Sequence, residues 1–193
     1  MGRSEKTIEQ EASISKEEAI DILDRIIGFI SSCDNKASIV LGTLGVILSI
    51  MLLSDEIKYL SSAIRTASQT RGFFDVFFIL MLMLTVILIA YGIYRLLNVL
   101  IARTANKVHD SKIFCFDSLL YFNEIAKNET YEIYKEKLLK YNKADLLNDV
   151  ISQIYINSII CKRKYENYNI GTKISMIGLA GFILLWVAGF IIY

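Results

Sequence analysis

Three apolar runs without a single charged residue dominate this chain and limit what it can become. They are Ala37 to Ser54 (ASIVLGTLGVILSIMLLS), Val76 to Tyr94 (VFFILMLMLTVILIAYGIY) and Ile174 to Tyr193 (ISMIGLAGFILLWVAGFIIY). An α-helix rises about 1.5 Å per residue, so about 20 apolar residues cross a hydrocarbon layer of roughly 30 Å. All three runs meet or approach that length. The first begins at Ala37 and lacks the layout of a cleavable signal peptide, so it reads as a span. No stretch alternates apolar and polar residues between turn signals, as a strand would. The chain also contains no proline, which permits long uninterrupted helices. The expected fold class is therefore all-α: an integral membrane protein with three transmembrane helices and a helical cytoplasmic domain.

The basic residues orient the spans. Arg95, Arg103, Lys107, Lys112, Lys162, Arg163, Lys164 and Lys173 flank the second and third runs, whereas only Lys58, Arg65 and Arg71 lie between the first and second. Residues 1–35 are thus expected to be cytoplasmic, 36–54 the first span, 55–72 an external loop, 73–100 the second span, 101–172 a cytoplasmic helical domain and 173–193 the third span. This topology puts the N-terminus inside and the C-terminus outside. Small residues recur at helical spacing in span one (Ser38, Gly42, Gly45, Ser49) and span three (Ser175, Gly178, Gly181), where they let helices approach closely in lipid. The pattern fits packing within one chain and self-association equally well.

Outside the spans, Ser15-Lys16-Glu17-Glu18 has the form of a capping box. Ile20, Leu23, Ile27 and Ile30 follow at helical spacing and predict an amphipathic helix running toward the first span. In 101–173, span two is expected to continue as a stalk to His109. A helix over Ser111 to Lys127, a short one from Asn128 to Tyr141 and a long one from Asn142 into span three should follow. On that last helix Leu147, Ile151, Ile154, Ser158, Cys161 and Tyr165 form an approximate heptad-like seam.

Charge and chemistry exclude several function classes. With 21 Lys and Arg against 20 Asp and Glu, the chain lacks the basic footprint of a nucleic-acid-binding protein. Cys33, Cys115 and Cys161 are isolated and His109 is the single histidine, which disfavours a disulfide framework, a zinc site and a histidine-assisted nucleophile. No cluster of nucleophile, base and oxyanion donor is evident. We expect neither an enzyme nor a metal or cofactor requirement.

Three groups of polar residues remain candidates. Asp34-Asn35-Lys36 stands at the start of span one, where Asp34 or Ser32 would cap the span and Lys36 would reach the headgroups, or where Asp34 and Lys36 would meet a ligand. Asp149, Gln153 and Asn157 fall at four-residue steps, with Lys162 and Lys164 beyond. Such a stripe fits a solvated face or a polar patch on a ligand, because amides read a base edge and lysines meet a phosphate. Asp75 and Arg95 flank span two as interface markers.

Cys33-Asp-Asn-Lys-Ala-Ser-Ile-Val-Leu-Gly42, preceded by Leu23-Asp24-Arg25-Ile26-Ile27, resembles the start of the first span in the transmembrane effectors of Pycsar anti-phage systems. Ser111-Lys-Ile-Phe114, Asp149-x-x-x-Gln153-Ile154 and Lys164-Tyr165 sit where that family has similar signals, and the likeness runs from about residue 17 onward. One departure is Cys115-Phe116, where the family pattern leads one to expect a Phe-Gly pair. The resemblance implies an effector paired with a nucleotide cyclase. Cyclic CMP or cyclic UMP would be its activating ligand, and it would impair the bacterial inner membrane and so abort infection. It further implies membrane lipid and further copies of the chain as partners, and Asp34, Lys36, Ser111, Asp149, Gln153, Asn157 and Lys164 as ligand-binding residues. A holin-like pore that needs no ligand, and a membrane scaffold for a partner protein, are the competing readings.

Overall fold

The computed structural model describes residues 14–53, 57–70, 72–101 and 118–192, and among these every regular element is an α-helix. The elements are α1 (Lys16–Leu53), α2 (Ile57–Thr70), α3 (Phe73–Leu100), α4 (Phe122–Ile125), α5 (Tyr131–Lys140) and α6 (Lys143–Ile192). Three of them, α1, α3 and α6, are long and apolar enough to cross a membrane. The chain divides into two compact units, which we call the polar unit (Met1–Ser31 with Arg103–Lys162) and the spanning unit (Ser32–Ala102 with Arg163–Tyr193). The all-α membrane architecture expected from the three apolar runs is the one found.

In the polar unit α1 begins as its sequence predicts. Ser15 N donates to Glu18 Oε2 at 2.8 Å, and Glu18 N donates to Ser15 Oγ at 3.1 Å. The bond from the Ser15 backbone, followed by that from its side chain, holds the Glu18 carboxyl below its ordinary range. Further along, Ile30 packs on a small core of Ile156 and Ile160 from α6. The seam proposed for α6 is displaced by about one residue: Ile151 and Ser158 are exposed, while Asp149, Val150, Gln153, Ile156 and Ile160 are buried. A search for apolar periodicity passes over this face because Asp149 and Gln153 interrupt it. The helix expected over Ser111 to Lys127 is also corrected. Its first seven residues lie outside the described ones, Ser118 to Tyr121 is non-helical, and only Phe122–Ile125 forms a turn of helix.

In the spanning unit α1, α3 and α6 pack around Cys33, Ala37, Leu44, Leu96, Val99 and Leu179, with a second cluster at Leu82, Ile89 and Phe182. Apolar side chains such as Val46, Ile50, Phe77, Leu84, Leu184 and Ile191 face outward, as lipid rather than water requires. The segment between spans one and two carries α2. Its Leu60 and Ile64 pack against the second cluster and its Ala67 is buried, while Lys58, Ser61, Arg65 and Ser68 are exposed. Asp75 Oδ2 accepts from Gly72 N at 3.0 Å and so ties off the start of α3. That helix ends at Leu100, and the rest of the expected stalk to His109 is outside the described residues.

The small residues of α6 are used within the chain. A β-carbon placed on Gly92 would lie 2.6 Å from Ser175 N, and one on Gly178 would lie 2.9 Å from Ile89 N. Only glycine lets the α3 and α6 backbones come this close. By contrast Gly42 and Gly45 of α1 have nothing within 4 Å. Gly92→Ala is accordingly expected to destabilise the protein by about 1–3 kcal/mol, since the helices must separate. Gly42→Ala should be near neutral. Thermal unfolding of both variants in detergent checks the contrast.

Candidate functional site

Among the described residues, buried polar side chains come together in both units. In the polar unit the centre is Asp149, which is fully buried on α6. Its Oδ2 accepts three bonds: from Ser118 Oγ at 2.9 Å, Leu119 N at 3.1 Å and Tyr141 OH at 3.2 Å. Ser118 Oγ in turn accepts from Leu120 N (3.2 Å), Tyr121 N (3.0 Å) and Gln153 Nε2 (3.3 Å). One carboxylate oxygen and one hydroxyl thus fix the turn that precedes α4 against α6. Asn157 Nδ2 donates to Gln153 O at 2.8 Å. The Asp149, Gln153 and Asn157 stripe is therefore turned into the unit rather than solvated.

The other oxygen, Asp149 Oδ1, is equally buried and has no partner among the described residues, and neither has Ser152 Oγ one turn further along α6. A buried carboxylate oxygen without a donor is uncommon, because desolvating it costs free energy that nothing returns. Residues three apart on a helix share a face. Asp149 and Ser152 together thus present an acceptor and a hydroxyl that the fold itself leaves unused.

Beside this cluster lies a cleft of about 60 Å³ lined by Ser118, Leu119, Glu124, Lys127, Asn128 and Lys137. Lys127 Nζ donates to Glu124 at 2.6 Å, and Lys137 Nζ donates to Asn128 Oδ1 at 2.9 Å. Tyr134 OH donates to Leu119 O at 3.2 Å, which joins α5 to the same turn.

In the spanning unit Lys164 of α6 is only 5% exposed. Its Nζ donates to Asp34 Oδ1 of α1 at 2.5 Å and to Val99 O of α3 at 2.6 Å. Val99 O belongs to the last turn of α3, where carbonyls have no partner within the helix and where positive charge is favoured. One ammonium thus joins all three spanning helices. Asp34 does not cap span one, because α1 runs through it without a break from Lys16 to Leu53. Cys33 and Ala37 are both fully buried on either side of Asp34, while Lys36 is exposed. The Cys33-Asp34-x-Lys36-Ala37 run is thus two packing residues, one ion-pair partner and one outward cation.

Of the seven candidate ligand residues, Asp149, Gln153 and Asn157 are gathered in the polar unit, and Asp34 and Lys164 are paired in the spanning unit. Lys36 is outward, and Ser111 lies outside the described residues. Sequence reasoning missed Ser118, Tyr141, Lys127 and Lys137. Ser118 meets Asp149 across 31 positions, a separation that leaves no periodic trace. Among the described residues no group of three or more His, Cys, Asp or Glu side chains is arranged to hold a metal ion.

Residues 18–193 match the family described as PycTM, Pycsar effector protein domain. The Pycsar effector protein GmPycTM of Gulbenkiania mobilis is 29% identical over 180 residues, covering 88% of this chain and 90% of its own. No solved structure matches the chain. The family match begins at the capping box of α1 and extends through all three spanning helices, and the chain belongs to the Pycsar effector protein family.

Proposed function

We propose that the protein is an anti-phage defence effector that senses a cyclic pyrimidine nucleotide, cyclic CMP or cyclic UMP, and responds by impairing the bacterial inner membrane. The polar unit is the sensor in this reading and faces the cytoplasm, with the C-terminus of α6 outside. The observation that carries the reading is the unused acceptor at Asp149 Oδ1, with a second unused group, the buried hydroxyl of Ser152, three residues further along α6. Used as an acceptor, Oδ1 selects a ligand with donors, such as a base amine, a base imide or a ribose hydroxyl. Asp149, Ser152, Gln153 and Asn157 would read those donors, with Ser111, outside the described residues, as a further candidate.

Asp34 and Lys164 act in this reading as the tie that holds the resting arrangement of the spans, with Lys36 at the headgroups. Ligand shifts such an equilibrium only by binding one arrangement better than the other. Both α1 and α6 contribute residues to each unit without a break in the helix, which supports a mechanical link. The open face of α1 at Gly42 and Gly45 supports self-association of the spans into a leak. The protein then needs a nucleotide cyclase as its functional partner and no cofactor or catalytic step of its own.

A potential-sensitive dye tests this in bacteria that express the protein with or without a pyrimidine cyclase. Depolarisation is expected only when the cyclase is present. Depolarisation without it would point instead to an unregulated pore, and none in either case, with expression verified, to a scaffold.

A further inference from the structure

The cleft beside the Ser118 turn carries a charge that the reading above leaves unused. Its ionisable lining residues are Lys127, Lys137 and Glu124, two ammonium groups against one carboxylate, so its net charge is +1. Lys127 Nζ lies 2.6 and 2.7 Å from the two oxygens of Glu124 and is neutralised there. Lys137 has no carboxylate partner among the described residues, unlike Lys140 on the same helix, which is paired with Glu136 at 2.6 Å. The Lys137 ammonium donates instead to Asn128 Oδ1 at 2.9 Å. Asn128 is itself fixed, since its Nδ2 donates to Ile125 O at 2.9 Å and to Glu124 O at 3.3 Å at the end of α4. A held amide thus sets the position of an ammonium with donors to spare, because each ammonium has three protons.

The same backbone serves the cleft and the buried carboxylate. Ser118 Oγ and Leu119 N both donate to Asp149 Oδ2, and both residues line the cleft. Tyr134 ties α5, which carries Lys137, to Leu119 O. The two sets of groups ask for opposite chemistry. Asp149 Oδ1 accepts, whereas the spare ammonium protons need an acceptor, best one with negative charge. A cyclic nucleotide supplies both, since its base and ribose donate and its phosphodiester carries a single negative charge. At about 60 Å³ the cleft is small beside the roughly 300–1,000 Å³ of pockets that enclose a whole small molecule, so it suits one group of a ligand.

Resting on the sensor role assigned above to the polar unit, we propose that Lys137 and Lys127 form its phosphate subsite. They take the phosphodiester of the cyclic nucleotide whose base or ribose Asp149 reads. Lys137 is the principal contact, because its charge is not already matched by a carboxylate. Lys127 contributes less, because Glu124 competes for it. The single negative charge of the phosphodiester balances the net charge of the cleft.

The test uses full-length protein in dodecyl maltoside, a detergent without phosphate, with cyclic UMP, cyclic CMP and inorganic phosphate titrated separately by calorimetry. Lys137→Met is expected to raise the Kd of the nucleotide that binds by about tenfold. Glu124→Gln should lower it by about threefold, because the competing carboxylate is gone. Opposite signs from two residues of one cleft are the mark of a charge effect. Wild-type affinity in Lys137→Met would overturn the subsite and leave the sensor reading standing. Weakening by both variants alike would show that the cleft acts through structure rather than charge, which also overturns it. If Glu124→Gln does not fold, Lys137→Met decides, since its side chain is exposed on α5. A wild type that binds neither nucleotide would sink the sensor reading and the subsite together, and binding of inorganic phosphate in that case would mark the cleft as a site for a free anion.

Discussion

Replacing Asp34 with alanine is expected to destabilise the full-length protein by about 3 kcal/mol, more than replacing Lys164 with methionine. The asymmetry follows from burial. Lys164 is almost wholly enclosed, whereas the Asp34 side chain is 35% exposed. Without Asp34 the ammonium keeps only the Val99 carbonyl and remains a buried, uncompensated charge. Without Lys164 the carboxylate still reaches water, and Val99 O returns to the state of an ordinary helix-terminal carbonyl. Lys164→Met should therefore cost about 1–2 kcal/mol, and the double variant should recover much of what Asp34→Ala loses. Thermal or denaturant unfolding in detergent gives the four stabilities of the cycle. Equal losses in the two single variants, or an additive double variant, would show that the pair is not the clamp described.

The second large effect is expected at Asp149. Asp149→Ala removes the acceptor for Ser118 Oγ, Leu119 N and Tyr141 OH at once, leaving three donors in or beside a buried site. Each such donor costs about 1–3 kcal/mol when fully unsatisfied, and partial rehydration reduces the sum to about 3 kcal/mol. Asp149→Asn keeps one oxygen for those donors and should lose about half as much. The unused side of the residue separates fold from sensing. Ser152→Ala removes a hydroxyl that bonds nothing among the described residues, so it should leave unfolding unchanged within about 0.5 kcal/mol. If Asp149 and Ser152 read the ligand, the same variant should weaken the nucleotide response measured by dye depolarisation. A Ser152→Ala protein with a full response would remove that residue from the sensor.

The parts of this protein that were legible in the sequence are those set by local periodicity. The three spans follow from uninterrupted apolar runs, and the start of α1 follows from Ser15 and Glu18 three residues apart. The continuity of α6 from Lys143 to Ile192 follows from the absence of proline between its polar and apolar stretches. What the sequence concealed depends on long-range pairing. The buried face of α6 escaped a hydrophobic seam because Asp149 and Gln153 lie in it, and they are buried only because Ser118, Leu119 and Tyr141 come back to meet them. Asp34 looked like a helix cap when taken with its immediate neighbours. Its partner is 130 positions away, and no local signal announces an ion pair at that separation. The small-residue faces of spans one and three looked alike in sequence. They differ in the fold, since Gly178 is packed against α3 while Gly42 and Gly45 are open.

The central claim is that a cyclic pyrimidine nucleotide alone switches this chain from a silent membrane protein to one that breaches the bilayer. Dye efflux from liposomes reconstituted with the purified full-length protein tests it without other cell components. The account predicts dye-retaining vesicles in the absence of nucleotide, and release upon addition of cyclic CMP or cyclic UMP, with no release from cyclic AMP or from protein-free vesicles. Vesicles that stay sealed with both pyrimidine nucleotides, or that leak equally before and after their addition, would contradict it.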